Sequence, residues 1–150
     1  MSGTVREWKA EDLPQILELL KQLAARLEYD FVFDIERLGS QFREISAKPE
    51  EYASYVYEEN GSIRGFVSAV FYVSVFHYRG TALVNELVVR EGLKGRGIGT
   101  ALIARIDEEA RKRGMDELEV GVAKENAEAR EFYRKNGIGE EYLLMGKEYF

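Results

Sequence analysis

The chain contains no cysteine and a single histidine, His77. These absences exclude thiol nucleophiles, disulfides and zinc ribbons, and they leave a Ser-His-Asp relay only His77 as its base. A metal site would have carboxylates alone to draw on, and none is expected. Long apolar runs are also missing. No segment approaches the roughly 18 apolar residues of a membrane span, and Met1–Lys9 lacks the apolar core of a secretory leader. The sequence therefore reads as cytoplasmic, without a membrane partner. Positive charge is scarce, with 21 Lys and Arg against 27 Asp and Glu and a net charge of -6. Nucleic acid would have to bind against an adverse field and is not expected as a partner. Three Gln and four Asn beside 48 charged residues resemble the usage of heat-adapted proteins.

What is present suits one folded domain over residues 1–150. The chain is 45% apolar and 12% aromatic, enough bulky side chains to build a core.

Hydrophobic spacing orders the elements. Val5 to Trp8 reads as a short strand. Asp12, with Pro14 and Gln15 after it, is placed to cap an amphipathic helix carrying Leu13, Ile16, Leu17, Leu20, Leu23, Ala24 and Leu27. A second, weaker helix is expected over Ile35 to Ser46, ended by Lys48-Pro49. The period then changes to two. Tyr52 to Glu58 and Ile63 to Phe76 read as strands joined by an Asn60-Gly61 hairpin turn, and Ala82 to Arg90 as a third strand. On that strand, strict alternation puts Leu83, Asn85, Leu87 and Val89 on one face and Val84, Glu86 and Val88 on the other. Both faces are largely apolar, which predicts a strand inside a sheet covered by helices. A helix through Ile98, Leu102, Ile106 and Ala110 is closed by Gly114. Leu118 to Val122 is a further strand, Asn126 caps a helix with Ala129, Phe132 and Tyr133, and Tyr142 to Phe150 is a candidate last strand. The class is α+β, or mixed α/β.

Between the third strand and its helix lies Lys94-Gly95-Arg96-Gly97-Ile98-Gly99. Glycines at alternate positions, opening a helix, let backbone N–H groups face an anion, and Lys94 and Arg96 add charge. The run is neither a Walker loop nor a dinucleotide fingerprint, because both spacings are absent. A glycine-rich turn with no ligand is the alternative.

Asn85-Glu-Leu-Val-Val followed by Lys94-Gly-Arg-Gly-Ile-Gly-Thr-Ala-Leu resembles the acetyl-CoA signature of the GNAT N-acetyltransferases, Arg/Gln-x-x-Gly-x-Gly/Ala. Lys94 stands where that family prefers Arg or Gln. The run Asn126-Ala-Glu-Ala-Arg-Glu-Phe-Tyr-Arg-Lys-Asn-Gly137 resembles the family's second motif at its usual distance, and the resemblance extends over essentially the whole chain. It implies a mostly antiparallel twisted sheet with a parallel central pair splayed to admit acetyl-CoA, flanked by about four helices. Leu23-Ala24 leading into Glu28-Tyr29, and Lys147-Glu148-Tyr149, are weakly similar to spermidine/spermine-type small-amine acetyltransferases.

The resemblance also implies roles. Amides of Gly95, Arg96, Gly97, Ile98, Gly99 and Thr100 would hold the CoA pyrophosphate, with Lys94 and Arg96 offsetting its charge. Leu87, Val88 and Val89 would pair with the pantetheine arm and bind the acetyl oxygen, and Asn126 and Ala129 would contact CoA. Tyr133 matches the tyrosine that protonates the departing thiolate; from helical spacing alone it would be a packed aromatic.

An acceptor amine must lose a proton, and Glu86, a carboxylate on an apolar strand, is the candidate base. In several small-amine enzymes of the family the carboxylate sits one position earlier, at Asn85 here. Either a local bulge brings Glu86 to the task or water carries the proton; an ion-paired structural glutamate is the alternative. Glu28, Tyr29 and Asp30, between the first two helices, would shape a site for a cationic amine, with Asn85 beside it; a solvated loop with buried aromatics is the alternative. His77 would line the same cleft or cap a turn.

The expectation is an acetyl-CoA-dependent transferase acting directly on a small primary amine. The rivals are a protein N-terminal or lysine acetyltransferase and a non-catalytic acyl-CoA-binding regulatory module. The family commonly dimerises, so Tyr142 to Phe150 would pair across an interface or complete the sheet.

Overall fold

A computed structural model describes residues 3–28 and 34–150. One sheet contains β1 (Thr4–Glu7), β2 (Tyr52–Glu59), β3 (Ser62–Tyr72), β4 (Thr81–Val89) and β5 (Glu117–Val120), in that order. The first four strands are antiparallel neighbours, and β5 runs parallel to β4. The helices are α1 (Leu13–Arg26), α2 (Ile35–Ser46), α3 (Ile98–Lys112) and α4 (Ala127–Lys135). No helix among the described residues is long and apolar enough to cross a membrane.

The period-two pattern of β3 divides the core between the two sheet faces. Phe66 packs with Leu13, Ile16, Leu19 and Leu20 of α1 and Leu38 of α2. Its neighbours Val67 and Ala69 point the other way, against Ile98, Leu102, Ile103 and Ile106 of α3. Ile16, Leu19, Leu102 and Ile106 are fully buried. Burial of each such side chain contributes about 1.5–3 kcal/mol, so these two contacts fix the helices on opposite faces. The hairpin turn is as expected, with Asn60 and Gly61 both left-handed.

Four expectations need correction. Asp12 does not cap α1 with its side chain. Its carboxylate accepts the Lys9 N–H at 2.8 Å and both terminal nitrogens of Arg6 at 2.8 and 2.9 Å. Gln15 instead reaches the β2–β3 hairpin, accepting the Ile63 N–H at 2.8 Å. Strand β3 stops at Tyr72 rather than Phe76, because Ser74 and Gly80 donate their N–H groups to the His77 carbonyl and close a turn. Val75 and Phe76, apolar at strand spacing, are exposed there.

Residues 142–150 form no strand, so the parallel β4–β5 pair lies at one edge of the five strands rather than at the centre. Finally, the two faces of β4 do not alternate strictly. Ser68 is opposite Glu86 while Ala69 is opposite Val84, which leaves Asn85 as an extra residue. Val84 therefore shares the α3 face with Leu87 and Val89, whereas Val88 packs toward α1. A bulge moves every following side chain to the other face.

Candidate active site

The bulge sits where β4 and β5 part. Their pairing covers only Thr81–Val84 against Glu117–Val120. Beyond it, the Arg90 N–H donates to the Arg64 carbonyl at 2.8 Å. That bond sets the phase of the β3–β4 ladder: the peptide groups of Glu86 and Val88 face β3, and those of Leu87 and Val89 face away, toward the side that β5 has left. The Val89 carbonyl accepts from Gln22 Nε2 at 2.8 Å, and Gln22 Oε1 accepts the Glu91 N–H at 3.0 Å. Leu87 has no backbone partner on its outward side among the described residues.

The chain then enters the glycine turn. Gly92, Gly95 and Gly97 have φ of 85°, 81° and 82°, a left-handed backbone that L side chains avoid. Gly97 opens α3 without a side-chain cap, and the first helical bond there runs from the Ala101 N–H to the Gly97 carbonyl at 3.0 Å. The N–H groups of Ile98, Gly99 and Thr100 are left to meet a ligand or water. Lys94 Nζ lies 3.2 Å from Glu128 at the start of α4, and Arg96 is exposed. A Cβ on Gly99 would sit 3.0 Å from the Phe132 ring, so glycine allows α4 to approach α3 closely.

Helix α4 carries Tyr133 against the α3 cluster, edge-on to Phe132 with ring centroids 5.2 Å apart. Burial pushes its hydroxyl up to about 12, so it remains protonated through neutral pH. Asn126 Oδ1 accepts the Ala129 N–H at 3.0 Å, which commits both groups to capping α4. Asn126 Nδ2 has no partner among the described residues.

On the other face of the sheet, the Ser68 hydroxyl lies 2.5 Å from Glu86 Oε1. Burial raises the pKa of Glu86, and the Ser68 hydrogen bond opposes the rise without cancelling it. Glu86 has no salt-bridge partner among the described residues, so it is not an ion-paired structural glutamate. The bulge residue Asn85 is exposed. Glu28, exposed and left-handed at φ 56°, follows α1; Tyr29 and Asp30 lie outside the described residues. Among the described residues, no cluster of His, Asp and Glu could hold a metal.

His77 lies at the opposite end of β4, where its Nδ1 is 2.7 Å from Asp116 and ties the β3–β4 turn to β5. It caps a turn and lines no part of the gap. Glu86 and Tyr133 thus approach from opposite faces, and the opening between β4 and β5 joins those faces. Sequence reasoning missed Ser68 and Gln22. Ser68 had left a signal, a lone hydroxyl within Phe66-Val67-Ser68-Ala69-Val70.

The acetyltransferase (GNAT) family profile matches residues 11–138. The chain belongs to the GNAT family. Acetyl-CoA is that family's acetyl donor. An uncharacterised N-acetyltransferase of Methanocaldococcus jannaschii is 33% identical over 144 residues, covering 95% of this chain and 63% of the relative, so the chain spans less than two thirds of that protein. Glucosamine-6-phosphate N-acetyltransferase from Arabidopsis thaliana has a similar fold, with a TM-score of 0.84 at 20% identity over 100% of both chains. An aminoglycoside N-acetyltransferase in complex with CoA has a TM-score of 0.81 at 19% identity, over 99% of this chain and 95% of that one.

Proposed function

We propose that the protein is a cytoplasmic, acetyl-CoA-dependent N-acetyltransferase that moves an acetyl group directly to the primary amine of a small molecule. The reading rests above all on the gap past Val84, which has uncapped α3 amides at one end and a half-buried carboxylate, held by Ser68 rather than by a cation, at its edge. The N–H groups of Ile98, Gly99 and Thr100, with Lys94 and Arg96, meet the pyrophosphate of CoA. The outward peptide group of Leu87 and the N–H of Val89 align the pantetheine arm, and a β4 amide there stabilises the oxyanion that forms when nitrogen attacks the thioester carbon.

Glu86 accepts the proton of the attacking amine, for which its raised pKa suits it at neutral pH. The C–N bond forms, the C–S bond breaks, and Tyr133 donates its phenolic proton to the sulfur. The opposed placement of Glu86 and Tyr133 lets amine and thioester approach from different faces and meet in the gap. Glu28 beside the acceptor side and the net charge of -6 favour a cationic acceptor.

The test is mass spectrometry of the products after incubation with acetyl-CoA and a panel of polyamines, amino acids, aminoglycosides and peptides. Acetylated small amines are expected. Acetylation of peptides alone would make the acceptor a protein, and CoA binding without any product would indicate a non-catalytic module.

A further inference from the structure

Three polar residues of α1, Gln15, Glu18 and Gln22, are spaced as one stripe along the helix, and all reach the end of the sheet where β4 passes into the glycine turn. Gln15 accepts the Ile63 N–H at 2.8 Å. Glu18 lies 3.3 Å from Arg90, whose Nε and Nη2 donate to the Ile63 carbonyl at 3.1 and 2.8 Å. Gln22 reaches furthest toward the turn. Its Nε2 donates to the Val89 carbonyl at 2.8 Å, and its Oε1 accepts the Glu91 N–H at 3.0 Å. Only one orientation of the amide satisfies both partners, so the side chain is fixed by a donor and an acceptor together. Ile16 and Leu19, fully buried on the adjoining face of α1, set the rotation that presents the stripe.

The two bonds of Gln22 reproduce those of a strand. In a parallel pair, the peptide of one residue donates to the carbonyl before the facing residue and accepts the N–H after it. The Gln22 amide does this across Arg90, through Val89 and Glu91 on either side. It takes the place of a parallel neighbour of β4. The parallel neighbour in the fold is β5, which pairs only with Thr81–Val84. The open edge of β4 is thus closed at one end by a strand and at the other by a side chain from α1, a helix on the sheet face opposite α3. Between the two closures, Leu87 and the Val89 N–H face outward. Val89 also meets the turn. A Cβ on Gly99 would lie 3.6 Å from Val89 Cγ2, so the residue whose carbonyl Gln22 holds abuts the first turn of α3.

We infer, on the acetyl-CoA reading of the gap, that Gln22 is a positioning residue for CoA: it fixes the end of β4 against the first turn of α3, so that the edge pairing with the pantetheine arm and the amides meeting the pyrophosphate keep one spacing. Arm and headgroup belong to one molecule. The second to engage binds as a tethered partner, and it gains from the tether only when its site lies at the matching distance. Without the Gln22 amide, the Val89 carbonyl and the Glu91 N–H turn to water, and the chain between the open edge and the glycine turn loses the bonds that fix its outward side. Seating α1 does not require Gln22, because Ile16, Leu19 and Leu20 already bury the helix against Phe66 and Val88.

The test is calorimetric titration of the full chain and of Gln22→Leu with CoA and with the phosphorylated ADP headgroup of CoA, which lacks the pantetheine arm. The substitution keeps side-chain size and helix preference and removes both hydrogen bonds. CoA affinity is expected to fall about tenfold or more while headgroup affinity stays within about twofold of the parent, because only the joined ligand senses the spacing. Gln22→Glu keeps an acceptor for the Glu91 N–H but sets an oxygen against the Val89 carbonyl, and the same selective loss is expected. Hydrogen exchange should find the Glu91 amide protected in the parent and released in Gln22→Leu. Equal losses for CoA and headgroup would overturn the inference, since Gln22 would then support the turn as a whole; so would undiminished CoA affinity in either variant, a result that leaves the acetyl-CoA reading standing. A parent that binds no CoA would overturn that reading and the inference together.

Discussion

The Ser68 hydroxyl donates to Glu86 Oε1 at 2.5 Å, across the β3–β4 pair and immediately beside the bulge at Asn85. The two residues are directly opposed because the extra residue resets the register there. Without it, Glu86 would point to the α3 face, away from Ser68. The bond also tunes the Glu86 carboxyl. It stabilises the carboxylate, while burial disfavours it more strongly.

Ser68→Ala is therefore expected to raise the pKa of Glu86 further. The acidic limb of kcat/KM then moves to higher pH, with the plateau rate lowered because the carboxyl is less well held. A pH-rate profile of the variant checks this, and a limb that stays in place or moves to lower pH would separate Ser68 from the proton-transfer step.

Tyr133→Phe removes a hydroxyl and keeps the ring against Phe132. Loss of a general acid typically costs about 10²-fold or more in rate. A fall in kcat of that order is expected, with little change in KM for acetyl-CoA. Because burial holds the tyrosine up to about 12, the parent's activity does not decline below pH 10 through loss of this proton. Stopped-flow measurement of the chemical step checks the assignment; an unchanged rate leaves Tyr133 as packing alone.

Gly97→Val places a β-branched residue at φ 82°, where left-handed backbone costs roughly 1–2 kcal/mol. The first turn of α3 must shift and its free amides lose their alignment. Calorimetric titration with CoA is expected to show affinity lower by about tenfold, the equivalent of ~1.4 kcal/mol. Circular dichroism should show a retained fold, since the substitution lies at a helix end.

Asp12 tests stability rather than chemistry. Burial alone would raise its pKa, but the Arg6 and Lys9 hydrogen bonds outweigh burial and lower it. A carboxylate depressed by folding contributes stability above its unfolded value near 3.9, and that contribution is lost as pH falls through the lower folded value. Asp12→Asn is expected to cost ~2 kcal/mol at pH 7, less than the roughly 3–5 kcal/mol for a wholly buried pair, because Arg6 keeps Glu58 at 3.2 Å. In urea unfolding the gap between parent and variant should narrow as pH drops toward 3.

The elements that were legible in the sequence are those with a long, unbroken period. Leu13 through Ala24 and Ile98 through Ala110 repeat every three or four residues and form α1 and α3, and Asn60-Gly61 marks its hairpin without ambiguity. The glycine turn was legible because alternate glycines open a helix; of these, Gly95 and Gly97 are left-handed, whereas Gly99 lets α4 approach. Other features depend on partners distant in sequence. The bulge at Asn85 is a property of the β3–β4 pair, and β4 alone shows only uninterrupted alternation. Asp12 looked like a cap because its local spacing allows one, yet Arg6 offers a buried carboxylate a stronger interaction. Val73 to Phe76 and Tyr142 to Phe150 carry strand composition, but neither has a strand partner within the described residues. Ser68 needed Glu86 opposite it to gain meaning.

The most direct test of the account is the initial rate of thiol release from acetyl-CoA as a function of pH, with a small diamine as acceptor, for the parent and for Glu86→Gln. The chain has no cysteine, so every thiol detected is CoA. The account predicts a parent profile whose acidic limb lies above the ordinary carboxylate range, because burial raises Glu86, and a variant that is slower by about 10²-fold or more and lacks that limb. Superimposable profiles for the two proteins, or no amine-dependent thiol release from the parent with any acceptor, would contradict it.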